Sequence, residues 1–87
     1  MTVEEKKANY EIIMRGAYAD YVIINRQTSF QPYIVCWAFD EEDYTWGQGH
    51  YFETLDEAKF FFYGKEQDAL EALREEIEEA LKEDFNN

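Results

Sequence analysis

Eighty-seven residues make one small domain, which hides only about 60 to 65 per cent of the surface of its unfolded chain and therefore needs a core of large side chains. Hydrophobic residues are 46% and aromatics 18% of the chain, which excludes a disordered acidic tail. The formal charge of −12 excludes direct recognition of nucleic acid or an anionic bilayer, both of which attract positive charge, and makes a basic protein the natural partner.

The charge is unevenly spread. Residues 1–39 hold four acids and four bases, residues 40–43 (Asp-Glu-Glu-Asp) contribute −4, and residues 44–87 hold twelve acids against four bases. No linker, repeat or low-complexity tract breaks the chain, so residues 1–87 are expected to form a single unit.

In chain order, residues 3–8 mix helix-forming and charged residues and are read as a charged lead into a strand from about 9 to 15. Residues 18–25 are dense in aromatic and β-branched side chains and predict a second strand, followed by a polar connection at Gln27-Thr28-Ser29. The third strand, Tyr33 to Phe39, starts after Pro32, where a strand tolerates proline. Strict alternation along it would set Tyr33, Val35, Trp37 and Phe39 on one face and Ile34, Cys36 and Ala38 on the other. The acidic run 40–43 turns the chain into a fourth strand at Tyr44–Phe52, where Gly47 and Gly49 suggest a bulge or the close approach of another backbone.

Thr54-Leu55-Asp56-Glu57 has the pattern of a capping box, so a helix starts there. Leu55, Ala58, Phe61 and Phe62 form one apolar stripe; Gly64 either ends the helix or kinks it. From Glu66 onward Ala69, Leu70, Leu73, Ile77, Ala80 and Leu81 recur at helical spacing among acidic residues. The expected class is α+β: an antiparallel sheet of three to four strands, then one long or two consecutive C-terminal helices packed on one sheet face.

Two constellations are candidates for binding a partner. The first is acidic: Asp40, Glu41, Glu42 and Asp43 in the turn, with Glu71, Glu75, Glu78 and Glu79 on the last helix. A solvated helix face usually interleaves lysine with glutamate, and here like charges stand one turn apart, at a modest cost to the helix. Carboxylates in such an array imitate a nucleic-acid backbone and accelerate encounter with a basic groove; the competing reading is a surface that serves solubility alone. The second is aromatic. Helices on one sheet face would leave Tyr33, Trp37, Tyr44 and Trp46 available as anchors on the other, unless these rings are simply the core.

No enzyme is expected. His50 has no second histidine or cysteine at metal-ligand spacing, Cys36 lies between Val35 and Trp37 as a small apolar residue would, and no nucleophile and base can be paired. Run 40–43 lacks the alternating ligands and central glycine of a calcium loop, and Gly47 and Gly49 open no helix that would cradle a phosphate. No catalytic, cofactor or metal site is therefore assigned. The lone cysteine and the absence of an apolar leader or ~20-residue apolar run suggest a cytoplasmic protein away from membranes, as monomer or homodimer.

Pro32 to Trp37, and Trp46-Gly47-Gln48-Gly49-His50-Tyr51-Phe52 followed by an acidic helix, resemble small proteins carried by bacterial phages and conjugative elements. The resemblance spans residues 18–63, with Gln48-Gly49 inserted relative to that pattern. It implies kinship in kind with anti-CRISPR and antirestriction proteins, several of which mimic DNA. The expected function is a stoichiometric inhibitor that blocks the basic groove of a bacterial defence nuclease or DNA-binding protein. The alternative is a homodimer or adaptor that docks through an aromatic sheet face.

Overall fold

The computed structural model describes residues 1–27 and 30–85, with side chains as far as Lys82. A short helix α1 (Val3–Asn9) leads into strands β1 (Glu11–Arg15), β2 (Tyr21–Asn25), β3 (Tyr33–Trp37) and β4 (Gln48–Phe52), and the chain ends in helix α2 (Leu55–Phe85). The strands form one antiparallel sheet in the order β1-β2-β3-β4. Thr28 and Ser29 of the expected polar connection lie outside the described residues.

The N-terminal lead is a helix because Thr2 caps it: the Glu5 N–H donates to Thr2 Oγ1 at 3.2 Å, and Glu4 and Glu5 sit at the positive end of the helix dipole. Tyr10 turns the chain into extended backbone. In β1 the register slips between Ile12 and Met14, so Ile13 is a bulge. Ile12 therefore packs on one face of the sheet, and Met14 on the other.

α2 covers the first face. Ala58 and Phe62 are buried against Ile23 and Val35, with Leu55 and Phe61 packed around them, as the apolar stripe predicts. Thr54 Oγ1 accepts the Glu57 N–H at 3.3 Å, while the Glu57 carboxylate takes the threonine hydroxyl at 3.1 Å, so the capping pair closes through side chains. The helix runs unbroken through Gly64.

The second face is also covered, contrary to the expectation of an open aromatic surface. Ile24, Ile34 and Cys36 are buried there under Tyr10, Ile12, Phe39 and Trp46. Phe39 reaches this face because Ala38 adopts a left-handed backbone (φ 56°), which ends the alternation of β3 and swings the chain over. Strand pairing in β4 starts only at Gln48 and is regular, with no bulge. The nearest approach to each glycine is an indole ring: a Cβ on Gly47 would lie 2.8 Å from the Trp37 ring and 3.6 Å from the Trp37 carbonyl oxygen, and one on Gly49 2.8 Å from Trp46 Nε1. Each glycine thus makes room for a tryptophan.

Candidate functional site

The course of α2 is set at Glu66. Its Oε2 accepts the backbone N–H groups of Ala17 (3.1 Å) and Tyr18 (2.9 Å), and its Oε1 accepts that of Ala19 (3.1 Å). Gly16 permits this approach, since a Cβ there would strike the Ala19 carbonyl and the Glu66 carboxylate. The helix enters beside Phe52 and reaches the loop joining β1 to β2, which lies at the sheet end marked by the Tyr21, Trp37 and Gln48 row.

Beyond that anchor the helix leaves the sheet. Ala69 and Leu70 are half-buried, and every residue from Glu71 to Lys82 is exposed. Twelve residues rise about 18 Å, about a third of the 57 Å long axis of a molecule 26 and 16 Å across. Glu71, Glu75, Glu78 and Glu79 all stand on this projecting rod, joined by Glu76. So do the apolar residues of the repeat: Leu73, Ile77 and Leu81 are 42, 52 and 52% exposed, so the apolar stripe that sequence periodicity assigns to a core has no cover among the described residues.

The acidic turn leaves the same end of the sheet, between Trp37 and Gln48, but folds toward the second face through Phe39 and Trp46. Two of its four acids serve the fold. Asp40 Oδ1 accepts the Glu42 N–H at 2.9 Å, within a turn closed by mutual backbone bonds between Asp40 and Thr45. Glu41 pairs with Arg15. All four acids of the turn are exposed. The sheet thus separates the turn from α2, and the two halves of the predicted acidic array share an end of the molecule but not a face.

Tyr44 and Trp46 are half-buried rather than presented as anchors. The Tyr44 ring meets Phe39 (centroids 5.3 Å) and Tyr10 (6.5 Å), and Trp46 stacks on Phe39 at 6.4 Å. Tyr33 packs against the core under α2, and Trp37, 44% exposed, remains partly open on that same face.

Chemistry-bearing groups are built into packing. His50 lies against Phe61 with ring centroids 4.3 Å apart. Burial pushes the Cys36 thiol up from 9.0 to about 12, opposed by the nearby Arg26 charge, so it stays protonated at neutral pH. Among the described residues no three His, Cys, Asp or Glu side chains gather to hold a metal, and no helix is long and apolar enough to cross a membrane. The positions that sequence reasoning missed are Glu66, whose three N–H donors lie 47 to 49 residues away in the chain, and Arg15, the partner of Glu41. No family model, curated protein or solved structure matches this chain.

Proposed function

We propose that this protein is an acidic protein-binding module that occupies the basic, nucleic-acid-binding surface of a partner, with the projecting half of α2 as its contact element. The observation that carries the reading is a helix continued about 18 Å past its last support, exposed on every side and rich in carboxylates. A core needs none of it.

The spacing of the carboxylates is nearer that of one nucleic-acid strand than that of a duplex. Glu71, Glu75, Glu76, Glu78 and Glu79 supply about one carboxylate per 3.6 Å of helix rise, near the one phosphate per 3.4 Å of a single strand and half the density of a duplex. Arg74 and Lys82 bring the net charge of residues 71–82 to −3, about one per 6 Å of rise, sparser than the phosphates of a strand. Exposed Glu42 and Asp43, at the same end of the sheet, extend the negative field. Together with the resemblance to phage-borne proteins, this favours a stoichiometric inhibitor of a bacterial nuclease or DNA-binding protein. Affinity capture from bacterial lysate at low and high salt, with wild type and a Glu71/75/78/79→Gln variant, tests it. Salt-eluted basic nucleic-acid-binding proteins retained by wild type alone support the reading; equal retention by the variant refutes it.

The exposed Leu73, Ile77 and Leu81 favour a second reading, an adaptor or homodimer that covers this stripe. Sedimentation at two protein concentrations separates the two, since a dimer lost on Leu73→Ser and Ile77→Ser supports the adaptor.

A further inference from the structure

A hollow of about 630 Å³ lies between α2 and the sheet beside Phe52, with Phe60, Phe61 and Gly64 along its helix side. Phe60 is 86% exposed, an aromatic ring left almost wholly in water. Gly64 interrupts a helix interior at a cost of about 1 kcal/mol relative to alanine, and nothing in the fold demands it. Its backbone has no positive φ, and a Cβ there would meet no atom within 4 Å. What the missing side chain does leave is an unobstructed hollow next to Phe60. A local rule broken without a packing reason points to function.

The adjoining strand is also unusual. β4 is a sheet edge, and its sequence Gln-Gly-His-Tyr-Phe carries no charged residue and no proline. The opposite edge, β1, is protected in the ordinary ways: it is bulged at Ile13 and bears Glu11 and Arg15 at its ends. β4 pairs regularly over all five residues with β3 and presents its outer row of N–H and C=O groups without a strand partner among the described residues. Five residues of strand span about 17 Å, and the helix rises about as far between Glu57 and Asp68, which both line the hollow. The charge of the lining selects the occupant. Asp56, Glu57 and Asp68 outnumber Lys65, whose ammonium lies 5.3 Å from the centre of the Phe61 ring.

We infer that β4 and this hollow bind an extended basic segment of a partner protein, which adds a fifth strand to the sheet, seats an apolar side chain beside Phe60 over Gly64, and turns its Lys or Arg toward Asp56, Glu57 and Asp68. This is strand addition, in which backbone bonds supply affinity and a pocket for alternate side chains supplies specificity. It stands on residues 48–68 and is independent of the role proposed for residues 71–82.

The test is a titration of the ¹⁵N-labelled full chain with an eight-residue peptide alternating Lys and Val, against a control alternating Glu and Val. The expected result is saturable shifts at the amides of residues 48–52 and 57–68, slowed hydrogen exchange at outward-facing β4 amides, and no response to the acidic peptide. Gly64→Leu, which projects a side chain into the hollow beside Phe60, weakens binding at least tenfold while its unfolding midpoint stays at or above that of wild type; Glu71/75/78/79→Gln changes it less than twofold. Four results overturn the inference: no saturable binding, shifts confined to residues 71–82, equal binding of the acidic peptide, or an unaffected Gly64→Leu. Concentration-dependent shifts at β4 without peptide identify a second copy as the occupant and overturn the assigned one.

Discussion

Replacing Glu66 by alanine removes the acceptor for three backbone N–H groups at once, those of Ala17, Tyr18 and Ala19. A hydrogen bond to a charged group contributes about 1.5–3 kcal/mol, and one whose partner is readily rehydrated contributes much less. Two of these three bonds are exposed, so water takes over the Ala17 and Tyr18 donors at modest loss, and the part-buried Ala19 donor carries most of the penalty. The expected destabilisation is about 2–3 kcal/mol, equivalent to a fall in Tm of about 10–20 °C for a domain of this size. Glu66→Gln, which keeps one carbonyl oxygen but turns an amide donor toward the loop, is expected to lose about 1–2 kcal/mol. Urea unfolding followed by far-UV circular dichroism measures both, with the neighbouring exposed Gln67→Ala, expected within about 0.5 kcal/mol, as control. A loss below about 0.5 kcal/mol for Glu66→Ala would show that the carboxylate does not fasten α2 to the sheet.

Gly64→Ala should raise stability by about 0.5–1 kcal/mol, read as a higher urea midpoint at unchanged slope, because the position is helical and open; a loss would mean an undetected steric role. Trp46→Ala should cost about 2–3 kcal/mol in the same assay, since the half-buried indole roofs Ile34 and stacks on Phe39. Cys36 should resist thiol reagents at pH 8 in the native state and react on unfolding. Its thiol keeps its proton to about pH 12 when folded but loses it near pH 9 when unfolded, so the native state binds more protons in that window and its advantage is lost as pH rises from about 9 to 12. Glu71/75/78/79→Gln should leave the sheet intact and raise helicity slightly by removing repulsion between turns; loss of near-UV ellipticity would refute the assignment of these residues to a free rod.

The strands and the start of α2 were legible because they rest on local signals: β-branched runs, Pro32 before β3, and the Thr54–Glu57 pair. α1 had a signal too, since Thr2 and Glu5 stand at the spacing of a capping pair, but the β-forming run behind them obscured it. The coverage of both sheet faces was not legible. It depends on Ala38 taking a left-handed backbone that alanine does not favour, and on a bulge at Ile13 that no glycine announces. Nor does periodicity say whether a stripe has a partner: Phe62 and Ile77 belong to equally regular patterns, and one is buried while the other faces water. For the candidate site, the acids of α2 were visible as charge, whereas the bonds of Asp40 within its turn and of Glu41 to Arg15 are contacts that no spacing reveals.

The anchored half of α2 also changes the physics of the half that projects. A free peptide of twelve residues barely forms helix in water, because the first turn fixes several residues for a single hydrogen bond. Here that turn is already formed and packed under Phe62 and Glu66, so each later residue only extends an existing ladder. Order along the rod is then graded, greatest beside Leu70 and least at the far end, and amide exchange should quicken steadily along it while the sheet exchanges as a block. A proline at position 71 would remove the bond to residue 67 and kink or break the helix at its base, which uncouples the rod from the packed half of α2 by one substitution.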